Sequence, residues 1–188
     1  KKMLSSLKTL GYYFSNIEVE KYQLKNNKVD LVFNIDLGKK AKIKRISFIG
    51  NKIYKDNKLK SLIASEEYKF WKFISGKKYL NESLINFDKR LLKNFYLNRG
   101  YYDVVINSSF AKLVNKDEFE LVFNIDAKNK FFFGDLNLKL PNDFEPLNFD
   151  DLNNTFESLK GKPYSLNAVQ KIIDSIDTIS ISEQFESV

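Results

Sequence analysis

The sequence predicts an α+β fold built from tandem modules, each consisting of a strand, two helices and two further strands. The first observation is that the hexapeptide Leu-Val-Phe-Asn-Ile-Asp occurs twice, at Leu31–Asp36 and Leu121–Asp126, an offset of 90 residues. The second is that Gly-Tyr-Tyr at residues 11–13 returns at residues 100–102. Repetition at a fixed spacing indicates that one packing unit has been copied along the chain.

A third repeat defines the limits of the modules. Gly-Lys-Lys-Tyr at residues 76–79 corresponds to Gly-Lys-Pro-Tyr at residues 161–164, an offset of 85. The shorter offset is explained if the middle copy carries a short insertion before Gly76. The matches predict the end of one module at residues 1–38, a complete module at residues 39–127 and the beginning of another at residues 128–188. This last part is expected to hold a first strand, with Phe133, Leu136 and Leu138 as counterparts of Ile43, Ile46 and Phe48, followed by two helices.

Composition favours folded modules without a reactive site. The chain has 188 residues, is 43% apolar, and contains only 7 Gly and 3 Pro. No apolar run approaches the roughly 18 residues that a membrane-spanning helix needs. Cysteine and histidine are both absent, which excludes thiolate chemistry, histidine bases and nearly all zinc sites. The sequence therefore predicts no catalytic residues, no cofactor and no metal.

The complete module begins with a strand and a short helix. Lys42–Gly50 alternates apolar and polar residues around Ile46 and Phe48 and stops at the Gly-Asn pair of residues 50–51, a pattern typical of a strand. Asp56 is placed to cap a helix that runs to about Ala64. The aromatic-rich stretch at residues 66–75 has no period, and we expect it to form either local core or a partner surface.

The longest helical pattern follows. Asn81 can cap it, Gly100 can end it in the left-handed conformation, and the predicted apolar stripe consists of Leu84, Phe87, Leu91, Leu92 and Phe95. Two alternating segments then form a hairpin. A right-handed crossover places the first strand beside the third, which leaves the second strand, residues 104–110, at an edge of the sheet. The hexapeptide becomes the central strand of each module, with its apolar side chains facing helices.

This arrangement resembles the POTRA domain. The residues that carry the resemblance are Tyr-Leu-Asn-Arg-Gly-Tyr at 96–101 and Ile-Gly-Asn at 49–51, set within the strand–helix–helix–strand–strand order. The tandem array is similar to the periplasmic region of outer-membrane β-barrel assembly proteins. Among five modules of that kind, the match implies the end of the second, the whole of the third and the start of the fourth. The fold implied is a three-stranded mixed sheet covered on one face by two helices.

The resemblance implies a non-enzymatic scaffold at the periplasmic face of the outer membrane of a Gram-negative bacterium. Its implied partners are unfolded outer-membrane β-barrel proteins, accessory assembly lipoproteins, periplasmic chaperones and a membrane barrel C-terminal to this region. An extended client segment can add to a free sheet edge through main-chain hydrogen bonds. The predicted partner-binding residues lie on two edge strands and the aromatic loop: Val104, Val105, Ile106, Asn107, Ser108, Ser109, Phe110, Ile17, Val19, Trp71 and Phe73.

Two alternative functions remain open. The array could belong to a two-partner secretion transporter or another related outer-membrane translocase. The net charge of +7 and the basic run at residues 39–45 also suit a basic α+β RNA-binding module. Because Lys, Asn, Ile, Phe and Tyr are all abundant, codon bias is a simpler source of the charge, and we expect no nucleic-acid partner. The basic run is then a solvated face, a surface that steers acidic partners or a surface that lies near anionic lipid headgroups.

Overall fold

A computed structural model describes residues 2–71, 75–112, 117–139 and 149–182. The chain forms two compact units, the first comprising residues 1–92 and 106–125 and the second residues 93–105 and 126–188. The division at residues 38 and 127 that the repeat suggests stays a prediction. No helix in the described part of the chain is both long and apolar enough to cross a membrane.

The first unit opens with a helix and a hairpin: α1 (Lys2–Thr9), β1 (Asn16–Gln23) and β2 (Val29–Asp36). The two strands are antiparallel, with Ile17 opposite Ile35 and Val19 opposite Phe33. Between the strands, Asn26 and Asn27 both have positive φ angles, which a tight hairpin turn requires and asparagine tolerates. Nearly every residue of both strands is exposed.

The hairpin corrects one expectation. The first hexapeptide was expected to be central in a three-stranded sheet, with Leu31, Phe33 and Ile35 facing helices. In the structure β2 pairs with β1 in a two-stranded sheet, and these three side chains are 47–55% exposed. Alternating apolar residues predict a strand, but only an opposing layer can bury its face.

The remaining elements of the middle of the chain follow the predicted order. They are β3 (Lys42–Asn51), α2 (Asp56–Lys60), a 3-10 turn (Gly76–Lys78), α3 (Glu82–Leu97), β4 (Val105–Lys112) and β5 (Glu118–Asp126). The sheet order is β3-β5-β4, which confirms the mixed three-stranded sheet with β5 in the centre and β4 at an edge. The helix α2 is shorter than predicted, since it ends at Lys60 and not near Ala64. Asp56 lies within its first turn, and the capping residue is Lys55, whose side chain makes no cap hydrogen bond.

The core of this sheet comes from alternate residues of β5 and the facing side of β3. Leu121, Phe123 and Ile125 are fully buried, and the ring of Phe123 stacks on Phe48 with centroids 5.5 Å apart. The Gly50 position explains the Gly-Asn motif at the end of β3. Its φ is +87°, and a Cβ there would lie 2.5 Å from the carbonyl oxygen of Ile125, so any side chain would collide with the central strand.

The buried stripe of α3 differs from the predicted one. Asn81 caps the helix as expected, since its side-chain oxygen accepts a hydrogen bond from the Leu84 amide at 2.9 Å. The buried side includes Ile85, Asp88 and Leu92, whereas Phe87, predicted for the stripe, is 41% exposed. Asp88 occupies a core position although it is charged, so a stripe predicted from apolar residues alone includes its neighbour Phe87 instead.

The second unit contains two helices, α4 (Asp150–Leu159) and α5 (Leu166–Ser182), as predicted. Its core is built on Phe149, Leu152 and Phe156, against which partly buried residues of α5 and of the chain before α4 pack. The strand expected around Phe133, Leu136 and Leu138 is not formed: the described residues show an isolated bridge between Phe132 and Pro163. A strand needs a paired neighbour, and Leu136 and Leu138 pack on the helical core instead.

Candidate partner-binding surfaces

The edge strand β4 carries most of the predicted partner-binding residues. Ile106–Phe110 lie in the strand together with Val105, while Val104 precedes it, is 4% exposed and donates its amide hydrogen to Tyr101 O at 3.3 Å. An edge strand presents the N–H and C=O groups of alternate residues outward from the sheet. Val105, Asn107 and Ser109 are exposed, so the strand offers backbone groups flanked by small or polar side chains.

Phe110 is tied to an aromatic cluster in its own unit. Its ring meets Tyr13 edge-on at 5.2 Å and Phe119 at 6.0 Å. Burial, followed by the charge of Glu82, raises the pKa of Tyr13 to about 12, and its hydroxyl oxygen has no hydrogen-bond partner among the described residues. The cluster therefore anchors the far end of β4, and Phe110 contributes to packing as well as to the exposed edge.

The other predicted residues lie apart from this edge along the chain. Ile17 and Val19 are in β1, and Val19 is 54% exposed. Trp71 is 59% exposed and meets the ring of Phe70 edge-on at 4.6 Å. Phe73 lies outside the described residues. The rings of Phe70 and Trp71 are both exposed, and their role in binding a partner stays a prediction.

The basic run at residues 39–45 is largely neutralised by β5 and the residue before it. Lys42 Nζ lies 2.9 Å from a carboxylate oxygen of Asp117, Lys44 lies 3.4 Å from Glu118, and Arg45 makes two hydrogen bonds to Glu120 at 2.9 and 2.7 Å. The Arg45 guanidinium and the Ser47 hydroxyl lower the pKa of Glu120 to about 2. These pairs explain how so many cations can sit side by side at the start of β3.

A buried carboxylate that sequence reasoning missed lies in α3. Asp88 is fully buried and accepts hydrogen bonds from the backbone amides of Ala64, at 2.6 Å, and Ser65, at 3.2 and 3.3 Å. Burial raises the pKa of Asp88, while its hydrogen bonds from Ser65 and Ala64 oppose the shift. Asp88 thus satisfies the backbone of the loop that follows α2 and fixes that loop to α3.

A groove of about 730 Å³ opens on the first unit. Its walls come from the residues just after α1, the residues just before β3, the 3-10 turn with the residues after it, and the first two turns of α3. The only hint of it in the sequence is the Gly-Tyr-Tyr repeat. Its lining residues include Leu10, Tyr12, Lys40, Tyr79, Leu84 and Phe87.

None of these surfaces has the composition of a metal site. In the residues that the structure describes, no three His, Cys, Asp or Glu side chains come together in a way that could hold a metal ion. The charged side chains are instead arranged as pairs on the sheet and as the loop anchor Asp88.

Comparison with known proteins relates the middle of the chain to a defined family. Residues 41–128 match the family model described as POTRA, surface antigen variable number repeat. A curated relative, the outer membrane protein assembly factor BamA of Neorickettsia risticii, is 26% identical over 174 residues, which cover 89% of this chain and 23% of the relative. BamA of Neisseria meningitidis serogroup B is 28% identical over 118 residues, or 62% of this chain and 15% of the relative.

Solved structures show the same fold. The crystal structure of POTRA domains 3–5 of BamA from Haemophilus influenzae superposes with a TM-score of 0.58 at 17% identity, covering 94% of this chain and 68% of that one. The chain spans less than a quarter of the length of the two curated relatives described above. The similarity therefore concerns one region of those longer proteins.

Proposed function

We propose that the chain is a non-enzymatic scaffold in outer-membrane protein assembly. Residues 41–128 match the POTRA family model, and the chain resembles the POTRA region of BamA along most of its length. In this proposal it acts at the periplasmic face of the outer membrane. It receives unfolded β-barrel proteins and binds accessory lipoproteins and periplasmic chaperones. The observation that carries the proposal is the edge position of β4 in the three-stranded sheet.

The binding mechanism is the addition of a strand. An extended client segment hydrogen-bonds to the outward backbone groups of β4 and extends the sheet β3-β5-β4 by one strand. Main-chain hydrogen bonds depend little on side-chain identity, which suits a scaffold that meets many sequences. Asn107, Ser108 and Ser109 at the middle of β4 are small or polar, so they allow close approach without selecting a particular client side chain.

The structure favours this proposal over the alternatives. Three cations of the basic run, Lys42, Lys44 and Arg45, are paired with carboxylates, which leaves the sheet less suited to phosphate contacts than its sequence suggests. The curated relatives described above are assembly factors, which favours assembly over two-partner secretion. An RNA affinity with a steep salt dependence would overturn the scaffold proposal.

Proline substitutions along β4 test the edge directly. Successive residues of a strand direct their N–H groups to opposite sides, so one of Val105 and Ile106 donates outward and the other donates into the sheet. We expect the proline at the outward position to abolish binding of a fluorescent extended peptide while circular dichroism and the melting temperature change little. The proline at the inward position is the control, because it removes a hydrogen bond of the sheet and lowers the melting temperature.

The result that contradicts the edge mechanism is equally specific. If both proline variants stay folded and bind the extended peptide as tightly as the parent chain, β4 is not the docking strand. The same pair of substitutions in β1, at Val19 and Glu20, would then show whether the hairpin is the edge in use.

A further inference from the structure

The groove on the first unit has an apolar interior that is open to solvent. Leu10, at the end of α1, is 57% exposed, and Phe87, on the second turn of α3, is 41% exposed. Tyr12, Tyr79 and Leu84 complete the apolar part of the wall. A cavity of about 730 Å³ falls in the size range of sites that accept a ligand with a bulky side chain.

The rim of the groove is basic. Lys40 Nζ lies 4.9 Å from the ring centroid of Tyr12 and 5.7 Å from that of Tyr79. Lys77 lies on the 3-10 turn and is exposed, and the guanidinium of Arg90 lies over the Phe87 ring at 5.6 Å. Among the described residues, those that line the groove include no aspartate or glutamate. An occupant that matches this surface carries negative charge around an apolar group.

The second copy of the same junction serves as an internal comparison. Both copies share their backbone geometry: Ala41 donates its amide hydrogen to Gly11 O at 3.0 Å, and Phe131 donates to Gly100 O at 2.7 Å. In the second copy, however, Asn98 accepts hydrogen bonds from Ser165 and Asn167 at the start of α5. In the second copy, the start of α5 is therefore already hydrogen-bonded to a side chain of the protein itself.

The side chains that make the first junction apolar are replaced in the second. Ser165 is the counterpart of the capping residue Asn81, since its hydroxyl accepts from the Ala168 amide at 3.3 Å. At the same distances from the caps, Leu84 and Phe87 correspond to Ala168 and Lys171, and Leu10 corresponds to Arg99 when the Gly-Tyr-Tyr repeats are aligned. The apolar groove is therefore a property of the first copy and not of the shared backbone.

We propose that this groove binds an acidic peptide segment through a single aromatic side chain. The aromatic ring enters between Tyr12, Tyr79 and Phe87, and flanking carboxylates face Lys40, Lys77 and Arg90. Aromatic anchors held in desolvated pockets supply much of the affinity of protein interfaces, and complementary charge at the rim steers association. This site uses side-chain recognition on the helical face of the unit, so it is separate from the main-chain recognition proposed for β4.

Short labelled peptides test the proposal on the full chain. The probe is Asp-Glu-Phe-Glu-Asp with a fluorophore, and its binding is measured by fluorescence anisotropy at low salt. The comparison peptides are Asp-Glu-Ala-Glu-Asp, which lacks the anchor, and Lys-Lys-Phe-Lys-Lys, which reverses the charge. We expect the first to bind at least about tenfold more weakly than the probe and the second to show no saturable binding.

Paired variants locate the site. Phe87→Ser is expected to weaken binding of the probe about tenfold, and Lys77→Glu about fivefold, because they remove the anchor contact and reverse a rim charge. Their controls are Phe132→Ser and Lys55→Glu, which make the same changes at exposed positions outside the groove and should leave binding unchanged. All four positions are exposed, so thermal melts should match the parent chain.

Several outcomes would overturn the proposal. Equal binding of the alanine peptide would mean that charge alone attracts the probe. Equal losses from Phe132→Ser and Phe87→Ser would place the site elsewhere. If the outward proline variant of β4 loses binding of the probe, the probe binds at the sheet edge and not in the groove. If that variant still binds the probe and Phe87→Ser does not, the groove and the edge are separate sites. This conclusion holds even if β4 does not bind extended peptides.

Discussion

The two copies of Leu-Val-Phe-Asn-Ile-Asp are identical in sequence and opposite in environment. In β2 the side chains of Leu31, Phe33 and Ile35 are 55%, 54% and 47% exposed, and in β5 their counterparts are completely buried. Both copies form strands with the same alternation. The difference teaches that a hexapeptide determines conformation and which residues share a face, while its burial depends on the elements that cover that face.

The largest expected effect comes from removing the same side chain in each copy. Phe123→Ala deletes a fully buried ring that stacks on Phe48 and is expected to lower the free energy of unfolding by about 3–5 kcal/mol. Phe33→Ala removes a half-exposed ring and should cost no more than about 0.5 kcal/mol, as for most surface substitutions. Urea denaturation of the two variants measures the contrast. Equal losses would mean that the hairpin is covered in solution and that the comparison does not hold.

A smaller loss of stability is expected when Asp88 is replaced, which extends the comparison of the two copies to a buried polar group. At the same distance from its cap, α5 carries Ile172, so the buried carboxylate belongs to the first copy alone. Asp88→Ala leaves the amides of Ala64 and Ser65 without their acceptor and should cost about 1–3 kcal/mol. Hydrogen exchange at those two amides should accelerate more than exchange in β5. Unchanged protection there would show that another group, and not Asp88, fixes the loop.

The smallest effect concerns Glu120, whose counterpart in β2 is Asp30. Because its ion pair and hydrogen bonds lower the pKa of Glu120 to about 2 from an ordinary value of 4.5, it stabilises the fold above pH 4.5, and this contribution is lost as the pH falls toward 2. Arg45 is well exposed, so screening by solvent keeps the gain in stability at neutral pH small.

The test for this pair is a pH series. Glu120→Gln should be less stable than the parent chain at pH 7 and should approach it near pH 2, and 0.5 M salt should reduce the difference. Asp30→Asn, the matched change in the exposed strand, should show little effect at either pH. If Glu120→Gln is destabilised at pH 2 by as much as at pH 7, the loss of stability comes from packing and not from the ion pair.

Sequence reasoning succeeded for elements whose signals are local. The cap at Asn81, the left-handed Gly100 and the alternation in β5 each depend on a few neighbouring residues, and all three are present. The strand order followed from the handedness of crossover connections. The POTRA resemblance followed from motifs whose backbone role the structure explains, as at Gly50.

The errors lie where distant residues decide the outcome. A strand around Phe133 was expected from its repeat, yet the described residues provide no sheet for it to join. Phe87 was assigned to the core of α3 because nothing nearby reveals that Asp88 accepts hydrogen bonds from a loop 23 and 24 residues earlier. For the basic run at residues 39–45, the sequence leaves a solvated face and a steering surface open, because the carboxylates that pair with its cations follow more than 70 residues later.

The sequence by itself determined the repeat, the order of strands and helices, the alternation of faces and the absence of cysteine and histidine chemistry, because each depends on composition or on short-range periodicity. Tertiary structure alone decided which copy of the hexapeptide is buried and which cations are neutralised. Burial and charge pairing are set by whichever residues the fold brings opposite one another, and identical local sequences cannot record that difference.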